Sequence, residues 1–179
     1  MDQMFAPWRL EWVQRDDREE TFDGCVLCGL ADGDDREHRI LARNDHAYVV
    51  LNNAPYAPGH SMVVPTDHVG EYHHLDETTM LALDRLQSAT METLENVYAP
   101  QGFNVGMNIG KAGGASIEDH LHVHVVPRWE GDATFMPTTA DTQVIVEALD
   151  ESYEKLRKEF RRVAGAGGVE PEGAIRVDG

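Results

Sequence analysis

The stretch His120-Leu121-His122-Val123-His124-Val125-Val126, closed by Pro127, decides how the rest of the chain reads. Its polar and apolar residues alternate, which is the period of a strand with one buried face. Leu121, Val123 and Val125 then enter a core, while His120, His122 and His124 share the opposite side. Imidazole is the side chain whose proton equilibrium lies nearest neutral pH, and it is a common metal ligand. Three of them in a row mark a metal site or a place where charge is handled during a reaction.

Working outward, Ala47-Tyr48-Val49-Val50-Leu51 reads as a buried strand ended by Asn52-Asn53-Ala54-Pro55. His60-Ser61-Met62-Val63-Val64 reads as another, stopped by Pro65, and the turn at Pro58-Gly59 predicts that the two pair as a hairpin. Asp76 is a candidate N-cap for a helix reaching Tyr98, with Leu83, Leu86, Thr90, Leu94 and Val97 on one stripe. Phe103 to Ile109 is strand-like, and Gly110-Lys111-Ala112-Gly113-Gly114 is a glycine-rich loop. Backbone N–H groups over Gly113-Gly114-Ala115-Ser116 can approach an anion, with the Ser116 hydroxyl as a further donor. Ile145, Leu149, Tyr153, Leu156, Phe160 and Val163 recur every three or four residues and predict a second helix over 142–163. Strands, helix, strands, helix predict an α+β domain with an antiparallel sheet and two main helices.

At 179 residues and 20.0 kDa the chain is long enough for one domain with a proper core. The expected divisions are a docking segment over 1–20, a domain over 21–163 and a glycine-rich, disordered tail over 164–179. In the first, Trp8 and Trp12 are expected to pack on the body or on a partner subunit. Asp and Glu total 32 against 15 Lys and Arg, a net charge of −17 that repels a polynucleotide backbone. No apolar run approaches the ~18 residues of a membrane span, and Met1-Asp2-Gln3-Met4 lacks a secretory core. A soluble, cytoplasmic protein is the expectation. Lysine occurs only at Lys111, Lys155 and Lys158, and runs such as Asp32-Gly33-Asp34-Asp35 predict adaptation to a salty cytoplasm, where screening removes self-repulsion.

His120-x-His122-x-His124 followed by two hydrophobic residues resembles the signature of the histidine triad (HIT) superfamily of nucleotide hydrolases and transferases. Leu51-Asn52 with His60 resembles that family's strand pair on the ribose and phosphate side. The stretch Gly102-Phe103-Asn104-Val105-Gly106-Met107-Asn108, then Pro127-Arg128-Trp129, Gly131-Asp132 and Phe135-Met136-Pro137, resembles the diadenosine tetraphosphate phosphorylase-type members. So does the opening Ala6-Pro7-Trp8-Arg9. The resemblance implies a HIT-like fold, a homodimer and a nucleotide or dinucleoside polyphosphate substrate. It implies that His122 attacks the α-phosphate to form a nucleotidyl-histidine and that His124 stabilises the charge that develops. Substrate contacts follow by position at Asn52, His60, Asn108, Gly114, Ser116 and His124. The alternatives are a purine nucleoside phosphoramidate hydrolase and a nucleotide-binding or sensing module without turnover; an intact His122 speaks against the second.

The cysteines are Cys25 and Cys28, in Cys25-Val26-Leu27-Cys28. Such a pair is a redox couple, half of a zinc site or incidental, and no thioredoxin-like pattern adjoins it. In zinc-bearing triad proteins the remaining ligands match His68, in Pro65-Thr66-Asp67-His68, and His120. The resemblance therefore implies a structural Zn2+ held by Cys25, Cys28, His68 and His120, with His46 as substitute if His68 points elsewhere. His38, His73 and His74 lie in polar stretches and are expected at the surface.

Overall fold

The hairpin forms as the turn at Pro58-Gly59 predicts, with antiparallel pairs running from Ala47 opposite Pro65 to Leu51 opposite Ser61. In this computed structural model the described residues are 24–115, 117, 119–132, 148–165 and 173–177. They contain strands β1 (Ile40–Arg43), β2 (Ala47–Leu51), β3 (Ser61–Pro65), β4 (Gly102–Gly106), β5 (Val123–Arg128) and β6 (Ile175–Arg176). The helices are α1 (Val26–Asp32), α2 (Glu77–Tyr98) and α3 (Leu149–Val163). The six strands form one sheet in the order β4-β5-β3-β2-β1-β6, an α+β arrangement.

One face of the sheet is covered by α2 and α3. Leu83, Leu86 and Leu94 of α2 and Tyr153, Leu156 and Phe160 of α3 pack with Val49, Leu51, Val63, Val123 and Val125. On the other face Leu27 of α1 packs with Ile40, Tyr48, Val50 and Val64. The buried Tyr48 hydroxyl donates to the Leu27 carbonyl at 2.7 Å, tying α1 to the sheet. Asp76 caps α2 as its sequence suggests, accepting from Thr79 N–H at 2.7 Å. That bond holds the Asp76 carboxyl below its usual range. The helix stops at Ala99, whose positive φ of 45° and N–H bond to the Glu95 carbonyl turn the chain before Pro100.

The structure departs from the sequence reading in several places: β1 and α1 are absent from that reading, β4 ends at Gly106 and not at Ile109, and β5 runs through Pro127 to Arg128. Strand β5 begins at Val123, so His120 and His122 lie on the approach to it; the Leu121 amide donates to the Val69 carbonyl at 2.7 Å, off the neighbouring strand. The sheet is mixed at one edge, because β6 runs parallel to β1. That strand also shows the segment over 164–179 to be ordered at 173–177. The Ala174 amide donates to Asp35 Oδ2, Val177 donates to the Arg43 carbonyl, and Arg157 holds the Gly173 carbonyl. Two paired residues anchored by distant side chains leave no periodic trace in sequence. Helix α3 matches its predicted stripe from Leu149 onward. The expected part over 142–147, the segment over 1–23 with Trp8 and Trp12, and Phe135-Met136-Pro137 lie outside the described residues.

Candidate active site and metal site

His60 follows the hairpin turn and is fully buried. Its place depends on Gly59, where φ is +77° and a Cβ would lie 2.6 Å from Leu94 Cδ2 and 2.8 Å from Tyr98 Cε2. Gly59→Ala is therefore expected to cost about 2 kcal/mol, through backbone strain and overpacking against α2. Urea denaturation monitored by circular dichroism checks this, and an unchanged midpoint overturns it.

Hydrogen bonds fix the proton on each imidazole in turn. Tyr56 N–H donates to His60 Nδ1 at 3.1 Å, so the neutral His60 ring carries its proton on Nε2. His60 Nε2–H then donates to His124 Nδ1 at 3.0 Å, which leaves the proton of a neutral His124 on Nε2. His122 Nδ1–H donates to the His120 carbonyl at 3.0 Å, so His122 Nε2 carries the lone pair. The His122 and His124 rings meet edge-on with centroids 5.0 Å apart. A ring nitrogen bearing a lone pair and a ring N–H donor thus belong to neighbouring imidazoles. Tyr56 stacks on His60 at 4.9 Å and turns its edge to His124 at 6.3 Å. Sequence reasoning missed Tyr56; its one cue was its place between Asn52 and His60.

The fourth histidine turns to a different task. His120 Nε2–H donates to the Pro65 carbonyl at 2.9 Å, which directs the Nδ1 lone pair at two sulfurs. Cys25 Sγ lies 3.3 Å and Cys28 Sγ 3.4 Å from that nitrogen, and Cys28 Sγ lies 3.3 Å from His68 Nδ1. The four donor atoms all fall within 4.8 Å of one another. Tetrahedral zinc, with bonds of ~2.3 Å to sulfur and ~2.0 Å to nitrogen, separates neighbouring S and N by about 3.5 Å. The donor set and its spacing fit that ion, and the second bond of His120 to Pro65 is the support such ligands use. Burial holds the His120 imidazole below its ordinary value despite the Pro65 bond, so it stays neutral and able to ligate. Burial and the adjacent Cys25 push the Cys28 thiol up to about 11, a proton that metal would displace. His68 and His120 meet because Leu121 pairs with Val69 and because Gly70 admits the Asp119 backbone, 3.2 Å from where a Cβ would sit. His46, the substitute, is exposed elsewhere.

Asn52 is buried, and its Oδ1 accepts from Ala54 N–H at 2.8 Å while Nδ2 faces Met62 Sδ at 3.5 Å. Asn108 is half-buried, two residues past Gly106, the Cα partner of His124. In the glycine loop the Gly113, Gly114 and Ala115 amides donate to the Gly110 and Lys111 carbonyls and so close the turn. Ser116 lies outside the described residues. His73 and His74 are exposed as expected; His38 is half-buried, its Nε2 lying 2.2 Å from where a Cβ on Gly33 would be.

The HIT domain family profile matches residues 34–131, and the chain belongs to the HIT family. It is 35% identical over 167 residues to an AP-4-A phosphorylase of Mycobacterium tuberculosis, covering 90% of this chain and 86% of that protein. It is 29% identical over 105 residues to the adenosine 5'-monophosphoramidase hnt1 of Schizosaccharomyces pombe, covering 58% and 74%. In fold it matches the crystal structure of a Zn-bound histidine triad family protein from Mycobacterium smegmatis with a TM-score of 0.65 and 22% identity, over 80% of this chain and 98% of that one.

Proposed function

We propose that this protein transfers or hydrolyses nucleotidyl groups of dinucleoside polyphosphates, of the diadenosine tetraphosphate class, through a nucleotidyl-His122 intermediate. The observation that carries the reading is the order of protons: the lone pair on His122 Nε2 beside the N–H of His124. His122 Nε2 attacks the α-phosphorus, an N–P bond forms, and the P–O bond to the rest of the phosphate chain breaks. The departing chain leaves as an anion, and a hydrogen bond from His124 Nε2–H stabilises the charge without surrendering its proton. Water or inorganic phosphate then attacks the same phosphorus and regenerates His122. Asn52 Nδ2 is the ribose-side donor, and Asn108 and Ser116 complete the phosphate side. Cys25, Cys28, His68 and His120 would hold a structural zinc, which supplies a fixed point for the segment that carries His122.

The mycobacterial relative supports phosphate as acceptor. The yeast relative supports a second reading, hydrolysis of a nucleoside phosphoramidate. An amine leaving group needs a full proton where a phosphate chain needs only a hydrogen bond, so the two readings ask different things of His124. Product analysis on diadenosine tetraphosphate, with and without inorganic phosphate, decides. Both routes release adenosine triphosphate as the departing chain; diphosphate beside it, formed only with phosphate, marks a phosphorylase, monophosphate beside it a hydrolase, and an unchanged substrate overturns the reading.

The protein is read further as a cytoplasmic homodimer adapted to salt. Among the described residues no helix is long and apolar enough to cross a membrane. Strand β4 ends the sheet with Val105 41% exposed, an edge suited to a second copy. With a net charge of −17, the melting temperature is expected to rise between ~0.1 M salt, where the Debye length is ~10 Å, and ~1 M, where it is ~3 Å. A flat profile in a thermal scan rules the salt adaptation out.

A further inference from the structure

We propose that Cys25 and Cys28 are a peroxide-sensitive thiol pair whose oxidation to a disulfide expels the bound metal and loosens the nucleophile. The catalytic reading uses neither sulfur. Cys25 is the N-cap of α1 and Cys28 stands one turn on, with the Gly29 amide closing that turn on the Cys25 carbonyl at 3.0 Å. Their sulfurs are both within hydrogen-bonding range of His120 Nδ1 and within 4.8 Å of each other, so a small side-chain rotation joins them. Both thiols are half-buried and His68 is exposed, which opens this side of the site to a small oxidant.

The chemistry balances with hydrogen peroxide as the oxidant. One thiolate sulfur attacks a peroxide oxygen; the O–O bond breaks and hydroxide leaves, giving a sulfenic acid. The second thiolate attacks that sulfur, the S–S bond forms and a second hydroxide leaves. Two electrons pass from the sulfurs to the peroxide, and two protons from solvent convert the hydroxides to water. Two of four ligands are then gone, and His68 and His120 alone cannot close a tetrahedral zinc site.

The consequence reaches the nucleophile through one residue. The side chain of His120 sits among the sulfurs, and its carbonyl accepts the His122 Nδ1 proton. Losing the sulfur side leaves the buried His120 ring to its bond with the Pro65 carbonyl, and the ring's shift moves the backbone oxygen that sets the tautomer of His122. His120 is thus a positioning residue between the thiol pair and the reaction; this last link rests on the nucleotidyl-transfer reading, and the thiol chemistry does not.

The test takes the full chain loaded with zinc alone, reduced, and titrates it with hydrogen peroxide under native conditions. A chromophoric chelator reads metal release, mass mapping reads the Cys25–Cys28 disulfide, and turnover is followed in parallel. Zinc released in equal amount to disulfide formed, with turnover falling about tenfold and both restored by a dithiol reductant plus zinc, bears the proposal out. Failure to take up zinc, metal retained with both thiols reduced after excess peroxide, or a disulfide formed with metal still in place overturns it. If the substrate is not turned over at all, the nucleotidyl reading fails while metal release and disulfide still decide the thiol pair. An unchanged turnover in the fully oxidised protein overturns the link through His120.

Discussion

Under the proposed nucleotidyl transfer, replacing His122 with alanine is expected to lower kcat on a dinucleoside polyphosphate by about 10^4-fold or more, while nucleotide binding stays within about tenfold. The asymmetry follows from what the side chain does. Its Nδ1 proton is spent on the His120 carbonyl, so the lone pair lies on Nε2, and in the proposed reaction that pair forms a bond only as the phosphorus reacts. His124→Ala removes an N–H that stabilises charge and leaves the nucleophile in place, so its loss is about 10^2–10^3-fold. Steady-state rates on both variants, beside binding of a nucleoside monophosphate by calorimetry, separate the two roles. A wild-type reaction quenched without acid should carry one nucleotidyl mass on the peptide containing His122. Full activity in the alanine variant overturns the mechanism, and equal losses in both variants overturn the division of labour.

The face shared by His122 and His124 was legible because alternation is a property of neighbours, and Leu121, Val123 and Val125 fill the core as that alternation demands. Where β5 begins was not, since the Leu121 amide is claimed by Val69 from another segment. His60 could be singled out, but the proton on its ring is set by the backbone amide of Tyr56, a donor that every non-proline residue carries and no sequence marks. The glycine loop shows the same limit from the other side. Its composition permits amides to face an anion or a carbonyl, and Gly113, Gly114 and Ala115 face carbonyls. Cys25, Cys28, His68 and His120 could be joined only by resemblance. Their meeting depends on the Tyr48 anchor under α1 and on the close pass of Gly70 by Asp119, which are tertiary facts. Asn44 was missed for a related reason: its buried amide caps the β1–β2 turn at His46 and Ala47 and reaches across to the Ala82 carbonyl.

If Cys25, Cys28, His68 and His120 hold zinc as proposed, removing it is expected to lower the melting temperature by about 10 °C. Helix α1 has only seven residues, too few to hold itself, and it is attached through buried Leu27, the Tyr48–Leu27 bond, the Arg43 bond to the Ala31 carbonyl at 2.9 Å and the two cysteines. A metal clasping Cys25 and Cys28 to His68 and His120 joins α1 to the end of β3 and to the approach of β5. At free metal about 1,000-fold above its Kd the native state gains ~4 kcal/mol, and each kcal/mol moves the midpoint of a domain this size by ~2–4 °C. Elemental analysis of freshly purified, reduced protein should find about one zinc per chain, and a thermal scan before and after chelation should show the drop. Hydrogen exchange adds the location: the amides of Val26–Asp32 should lose protection first, while the centre of α2, packed through Leu86 and Leu94, keeps it. Cys25→Ser should reproduce both changes without chelator. Metal-free protein with well-protected α1 amides would mean that four donors meet here for some other reason, and the thiol pair would then have to be explained by Leu27 and Tyr48 packing alone.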